Sequence, residues 1–196
     1  MLVWVVTGPI GSGKSTVSGL LAQRGAAIVD ADLLGHEVLK DPAVIQSVQR
    51  EFGPDCVENG RIDRKSLGAL VFSDKEAMAR LNALTHPALL DLAAIQLDKL
   101  AKEGNHELAV LEAAVYFLWP PLPMVDMVIS VVADDETRTS RLMADRSLTE
   151  PQVRDRMRAQ ENLERFWKTA DAVIDNSSTH KALADAVDQL LLENNL

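Results

Sequence analysis

Short runs of apolar and β-branched residues recur along the chain, and stretches with helical spacing follow several of them. Continuous apolar runs of this length are typical of strands that are buried on both faces of a parallel sheet. The pattern therefore predicts an α/β fold in which buried strands alternate with helices. The predicted strands are residues 2–6, 26–29, 108–112, 127–132 and 172–175.

The stretch from residue 40 to residue 105 has a different pattern, without strand-like runs. Helical spacing predicts several helices there, and one of them begins at Pro87 because proline is tolerated in a first turn. Asn59-Gly60 indicates a turn. We interpret this block as an inserted, mostly helical substrate domain. Its predicted helices are residues 43–52, 64–72, 75–84 and 87–102.

Composition narrows the functional classes. Of the 196 residues, 47% are hydrophobic and 25% are charged, which suits one globular domain or a core with insertions. The formal net charge of −9 argues against a nucleic acid or an anionic membrane as the main partner. A single cysteine, Cys56, excludes an intrachain disulfide and favours a cytoplasmic location.

The most specific motif follows the first predicted strand. Residues 8–16 match G-x-x-x-x-G-K-[ST], and helical spacing resumes after Lys14. In such a loop, glycines let backbone N–H groups point at phosphate oxygens at the head of a helix. Lys14 would reach the β- and γ-phosphates, and the Ser15 hydroxyl would hold Mg²⁺. The residues predicted to bind ATP here are Gly11, Ser12, Gly13, Lys14, Ser15 and Thr16.

Two acids, Asp30 and Asp32, follow the second predicted strand, at the edge where ligands gather in open α/β sheets. If the strand continues through Asp32, the side chains of Asp30 and Asp32 lie on the same face of the sheet, because successive side chains alternate between the two faces. One of them could orient a hydroxyl and accept its proton during phosphoryl transfer, and Asp32 is the favoured candidate. The alternative is an acid that caps the helix predicted to follow.

Two polar residues end later strands. Glu112 follows four apolar residues, as in a Walker B element whose carboxylate assists the Mg²⁺ site. The alternative for Glu112 is a strand-end acid that faces solvent. Asn176 follows the last predicted strand, where it could hydrogen-bond a nucleotide base or simply belong to a turn.

Arginines are concentrated between residues 136 and 169 of this acidic chain. A phosphotransfer site needs cations over the γ-phosphate and a cover that excludes water, and an arginine-bearing lid supplies both. Arg141 is the favoured candidate. For most of the other arginines we prefer the alternative, a surface charge paired with an acid one helical turn away.

Two residues of the helical block are candidates for binding the substrate. Arg64 could meet a phosphate, or it could belong to a solvated helix face. His86 precedes Pro87, and a structural hydrogen bond at a helix start is the main alternative to ligand binding there.

Several short segments together resemble one known family. They are residues 7–16, Val29-Asp30-Ala31-Asp32, Ile62-Asp63-Arg64, Leu67-Gly68, Val71-Phe72, Leu81-Asn82, His86-Pro87, Gln160, residues 168–171 and Val173-Ile174-Asp175-Asn176. In these segments the chain resembles the dephospho-CoA kinases over almost its whole length. It differs from the family pattern at Pro9, where glycine is usual, at Leu118, where an acid is usual, and in the order Asp145-Arg146.

The resemblance implies a P-loop kinase fold with a five-stranded parallel sheet, a helical substrate domain and a lid. It also implies transfer of the γ-phosphate of ATP to the ribose 3′-hydroxyl of dephospho-CoA. The resemblance further implies that Asp32 is the catalytic carboxylate, that Arg141 is the lid arginine and that Asn176 lies near the ATP base. The implied division assigns residues 1–33, 106–135 and 170–196 to a nucleotide-binding core, 34–105 to the substrate domain and 136–169 to the lid.

The resulting hypothesis is a cytoplasmic kinase of dephospho-CoA that uses ATP and Mg²⁺. Lys14, Arg141 and Asp32 carry the chemistry, and Arg64 and His86 help to bind the acceptor. One alternative is a P-loop kinase for another small hydroxyl or nucleotide acceptor. Another is a nucleotide-binding regulator without catalysis, and the oligomeric state is left open.

Overall fold

The computed structural model describes residues 1–71, 74–146 and 148–196, and for Asp145 and Arg146 it describes the backbone only. The sequence predicted a helix that ends at Phe72, which lies outside the described residues. The departure from the family pattern at Asp145-Arg146 lies outside the described side chains. The strands are β1 Leu2–Thr7, β2 Ala27–Asp30, β3 Val57–Glu58, β4 Arg61–Ile62, β5 Leu108–Glu112, β6 Met127–Val132 and β7 Ala172–Asp175. The α-helices are α1 Lys14–Gln23, α2 Ala31–Val38, α3 Pro42–Phe52, α4 Arg64–Val71, α5 Lys75–Glu103, α6 Asp135–Arg146, α7 Glu150–Arg158, α8 Glu164–Trp167 and α9 His180–Glu193.

All of the predicted strands are present, and they form one sheet in the order β2-β5-β1-β6-β7. The central strand is β1, in which Val5 pairs in parallel with Leu111 of β5 on one side and with Val128 of β6 on the other. Val5 and Val6 are fully buried, as expected for a strand covered on both faces. The predicted α/β fold with a five-stranded parallel sheet is confirmed.

Helices α1 and α9 pack together and bury their apolar faces against the sheet. Val17 of α1 and Val187 of α9 join Trp4 of β1 in one core with inaccessible side chains. Helix α1 is therefore fixed at the carboxyl end of β1. This fixes the position of the loop between them.

A strand pair lies in the block that was predicted to be only helical. Strands β3 and β4 are antiparallel, and Val57 pairs with Ile62. Asn59 and Gly60 have φ of 51° and 74°, which a two-residue hairpin turn requires. The prediction that strands are absent here is wrong because two-residue strands are too short to produce a hydrophobic run.

Pro87 lies inside the continuous helix α5 and does not begin a new one. The prediction of two helices, 75–84 and 87–102, is therefore wrong. An internal proline removes one backbone hydrogen bond and costs about 3 kcal/mol, but buried residues on both sides can offset that cost. Ala77 and Leu89 are such residues, with 4% and 8% exposure.

The chain divides into two compact units. One unit comprises Met1–Val29 and Leu97–Leu196 and contains most of the sheet. The other unit, Asp30–Gln96, has an apolar core of its own that includes Val48 and Cys56. Among the helices described, none has both the length and the apolar character needed to cross a membrane.

Candidate active site

The loop between β1 and α1 is built on glycines with backbone conformations that other residues rarely adopt. Gly8, Gly11 and Gly13 have φ of 141°, 77° and 94°. A Cβ on Gly8 would lie 2.1 Å from the carbonyl oxygen of Val131, and one on Gly13 would lie 2.2 Å from Nδ2 of Asn176. The loop ends at the N-terminus of α1, where backbone N–H groups and the helix dipole favour an anion.

The carbonyl oxygen of Ser12 accepts hydrogen bonds from two distant side chains. Nδ2 of Asn176 donates at 2.8 Å and Nη1 of Arg141 donates at 3.3 Å. Nη2 of Arg141 also donates to the backbone oxygen of Asn176 at 2.9 Å. Asn176 is only 4% exposed, so its amide packs against the loop. The structure thus brings together two residues that the sequence singled out separately.

A cavity of about 370 Å³ opens over the loop and the start of α1. Its wall includes the predicted residues Lys14, Ser15, Thr16, Arg141 and Asn176. Ser178 and His180 also line it, and sequence reasoning missed both. Neither residue belongs to a motif, and their position just after the carboxyl end of β7 is the only signal that could have indicated them.

The Lys14 ammonium group lies over the loop. Its Nζ donates to the carbonyl oxygens of Gly8 and Pro9, both at 3.1 Å. The side chain therefore curls back along the loop, and the positive charge is held where the loop carbonyls converge. An ammonium on a flexible stem suits a group that must approach phosphate oxygens.

The Ser15 hydroxyl donates to Oε1 of Glu112 at 2.6 Å. Glu112 ends β5, next to β1, so the two predicted Mg²⁺-site residues are in direct contact. A hydroxyl and a carboxylate are hard oxygen donors, which Mg²⁺ prefers. Among the residues described, no group of three His, Cys, Asp or Glu side chains could hold a metal by itself.

Gln160, which follows α7, makes a further contact with the loop. Its Oε1 accepts a hydrogen bond from the backbone N–H of Ile10 at 2.8 Å. Sequence reasoning noted Gln160 as part of the family resemblance but assigned it no function. A glutamine can donate or accept with many partners, so its residue type does not indicate this contact.

A larger cavity, of about 950 Å³, is formed by residues of β6, α6, α7 and α8 and reaches Pro9. Charged residues on its wall pair with each other: Arg138 with Asp135, and Arg154 with Glu150. The smaller cavity is the better phosphate site because the glycine loop and the N-terminus of α1 form its wall.

Asp30 and Asp32 belong to the unit Asp30–Gln96. Strand β2 ends at Asp30 and α2 begins at Ala31, so strand alternation does not continue to Asp32. The Asp30 carboxylate accepts from the N–H groups of Asp32 at 2.8 Å and Leu33 at 3.2 Å. Asp30 is thus the helix cap, and Asp32 is exposed in the first turn of α2.

Two candidate residues for acceptor binding lie in the same unit. Nη2 of Arg64 is 2.9 Å from Nε2 of His36, and both side chains are exposed. His86 is half-buried within the continuous helix α5, and burial lowers its pKa. His86 therefore does not lie at a helix start, as the alternative to ligand binding assumed.

The central strand, the glycine loop that follows it and the arginine-bearing helices beside that loop define a P-loop kinase. A shikimate kinase from Acinetobacter baumannii shares the fold over 100% of this chain and 96% of its own, with a TM-score of 0.59 at 16% identity.

Within that class, the chain belongs to the dephospho-CoA kinase family, whose model matches residues 2–182. A dephospho-CoA kinase from Geobacter sulfurreducens is 37% identical over 187 residues, which cover 94% of each chain. A solved structure from Thermus thermophilus is 33% identical, with a TM-score of 0.82 over 98% of this chain and 97% of its own. The family resemblance in the sequence is confirmed.

Proposed function

We propose that the protein transfers the γ-phosphate of ATP to the ribose 3′-hydroxyl of dephospho-CoA and releases ADP and coenzyme A. The observation that carries this proposal is the cavity over the phosphate loop, which has Lys14, Ser15, Arg141 and Asn176 on its wall in a chain of this family. We also propose the cytoplasm as its compartment, because the single cysteine, Cys56, cannot form an intrachain disulfide.

The proposed ATP site is formed by residues 11–16, which lead into α1 and offer backbone N–H groups to the phosphates at the head of that helix. Lys14 stabilises the negative charge that develops on the phosphate oxygens during transfer. The guanidinium of Arg141 is fixed by its bonds to Ser12 and Asn176, so it is preorganised beside the loop. Asn176 is proposed to contact the nucleotide base as well, from its position at the end of β7.

Ser15 and Glu112 are the residues that would hold Mg²⁺. Their contact provides two oxygen donors at the head of α1. The ion would neutralise part of the phosphate charge. Glu112 also orients the Ser15 hydroxyl, because its carboxylate accepts the hydrogen bond that this hydroxyl donates.

Asp32 is proposed to orient the acceptor hydroxyl and to take its proton as the O–P bond forms. Its side chain is exposed in the first turn of α2, and Asp30 supplies the cap that holds that turn. Arg64 and His86 are proposed to contact dephospho-CoA. We propose residues 34–105 as the acceptor-binding part and residues 136–169 as a lid that excludes water.

The test is ADP release from ATP and Mg²⁺, with and without dephospho-CoA, together with chromatographic detection of coenzyme A. We expect ADP and coenzyme A to form in equal amounts and to depend strictly on the acceptor. Equal ADP release with and without dephospho-CoA would overturn the proposed function. A panel of other hydroxyl acceptors would then test whether the kinase acts on a different substrate.

A further inference from the structure

The peptide group between Pro9 and Ile10 is hydrogen-bonded on both sides. Its N–H donates to Oε1 of Gln160 at 2.8 Å. Its carbonyl oxygen accepts from Nζ of Lys14 at 3.1 Å and from the backbone N–H of Ser12 at 3.3 Å. One rigid plane therefore links Gln160 to the ammonium of Lys14.

The backbone of Gln160 is itself fixed. Its N–H donates to the carbonyl of Met157 at 3.0 Å, and its carbonyl accepts from Leu163 at 2.9 Å. Leu163 and Trp167 anchor the segment that follows, with 8% and 5% exposure. The glutamine is therefore presented to the loop from an ordered part of the chain and is not carried on a free end.

The proline in the loop makes the contact between Ile10 and Gln160 important for fixing the loop backbone. Pro9 has no N–H, so the N–H of Ile10 is the first donor after Gly8 that can fix this end of the loop. If this peptide plane turned over, the Pro9 carbonyl would point away from Lys14, and the Ile10 N–H would point toward Lys14 instead. A hydrogen bond from that N–H to Gln160 opposes the rotation, and hydrogen bonds on the two sides of one peptide also strengthen each other.

We propose that Gln160 is a positioning residue for the phosphoryl transfer: it fixes the Pro9–Ile10 peptide and thereby holds the Lys14 ammonium over the phosphate site. Gln160 acts through Lys14 and does not touch the reacting atoms. The inference rests on the proposed function, because it takes Lys14 as the cation that stabilises the transferred phosphate.

The test compares Gln160→Leu with Gln152→Leu. Gln152 is a matched control because its Oε1 also accepts a backbone N–H, that of Thr149 at 2.9 Å, in the same helical region but away from the loop. We expect Gln160→Leu to lower kcat by about three- to tenfold, the effect of one lost hydrogen bond, with the KM for dephospho-CoA unchanged. Gln152→Leu should leave kcat within twofold of the wild-type value.

A double-mutant cycle separates positioning from a general structural effect. In the Lys14→Ala background, Gln160→Leu should cause no further loss of kcat, because the residue that it positions is gone. A loss of the same size in both backgrounds would overturn the proposal. Gln160→Asn provides a second variant if Gln160→Leu does not fold, since it keeps the amide but is one methylene too short.

Amide hydrogen exchange tests the contact without turnover. The N–H of Ile10 should exchange at least threefold faster in Gln160→Leu than in the wild type, and at an unchanged rate in Gln152→Leu. This readout still applies if the wild type makes no coenzyme A, in which case the proposed function fails independently. Equal exchange rates for Ile10 in the two variants would contradict the inference.

Discussion

The hydroxyl of Ser15 and the carboxylate of Glu112 form a 2.6 Å hydrogen bond between residues 97 positions apart in the chain. Strands β5 and β1 are neighbours, so the end of β5 comes beside the start of α1. The contact joins the two residues that the sequence predicted independently as the Mg²⁺ site. It also gives that prediction a direct test.

Glu112→Gln keeps a hydrogen-bonding side chain beside Ser15 but removes the negative charge. We expect the Mg²⁺ concentration for half-maximal activity to rise about tenfold or more, as is typical when a group that orients a metal ligand is lost. The measurement is the initial rate across a Mg²⁺ titration. Glu107→Gln is the control, because Glu107 is exposed and directly precedes the opposite end of β5. Unchanged Mg²⁺ dependence in Glu112→Gln would contradict the assignment.

Arg141→Lys should lower kcat about a hundredfold. One planar guanidinium bonds both to Ser12 and to the backbone of Asn176, and a lysine ammonium lacks that fork geometry. Arg154→Lys is the control, since Arg154 pairs with Glu150 on the exposed face of α7. Steady-state kinetics of both variants should show near wild-type rates for the control alone. Comparable rates in the two variants would remove Arg141 from the proposed mechanism.

Asp32→Asn and Asp30→Asn separate catalysis from helix capping. An asparagine caps a helix about as well as an aspartate, so Asp30→Asn should keep both stability and turnover. Asp32→Asn removes the proposed proton acceptor and should lower kcat by a factor of at least about 100. The comparison requires kcat and urea unfolding for both variants. Full turnover in Asp32→Asn would rule out its proposed function.

Gly13→Ala and Gly19→Ala should have opposite effects. A Cβ on Gly13 would lie 2.2 Å from the buried amide of Asn176 at a φ of 94°, so we expect a loss of about 2–3 kcal/mol and weaker ATP binding. Gly19 lies within α1, and apart from the neighbouring backbone of that helix nothing lies within 4 Å of its Cβ position. Gly19→Ala should therefore stabilise the protein by about 0.5–1 kcal/mol. Thermal unfolding and ATP titration would measure both effects, and equal stability of the two variants would contradict this account of the loop.

Stability should fall in mild acid because of His86. Burial lowers the pKa of this histidine from its ordinary value of 6.5, so the unfolded chain binds more protons than the folded chain below that pH. The free energy of unfolding therefore decreases as the pH falls from 7.5 to 5.5. In His86→Gln this decrease should be smaller than in the wild type, because the half-buried imidazole is gone. Urea unfolding at the two pH values measures the difference, and identical decreases in wild type and His86→Gln would contradict it.

The sheet could be predicted because its strands are covered on both faces. Such strands consist of unbroken apolar runs, and the predicted ranges 127–132 and 172–175 agree with β6 and β7. The helical block was harder to predict. Proline ordinarily breaks a helix, but Pro87 lies within the continuous helix α5, where buried residues on both sides of it stabilise the helix. For the β3–β4 hairpin, the sequence indicated the turn at Asn59-Gly60 but not the two short strands.

In the site, too, features within one short segment could be predicted, whereas contacts between distant segments could not. The residues of the loop were predictable because one short motif contains all of them. The sequence favoured Asp32 over Asp30 for catalysis, but it could not show that Asp30 caps α2, since the choice between cap and strand depends on a single residue. The bond from Gln160 to Ile10 spans 150 residues and involves an ordinary glutamine, so nothing local to either residue predicts it.

The bond between Asn176 and Ser12 has a consequence for biosynthesis. The two residues are 164 positions apart, so a ribosome makes the phosphate loop roughly 10–30 s before it adds the side chain that holds the loop carbonyl. A nascent or prematurely terminated chain therefore carries the nucleotide-binding motif without the contacts that order it.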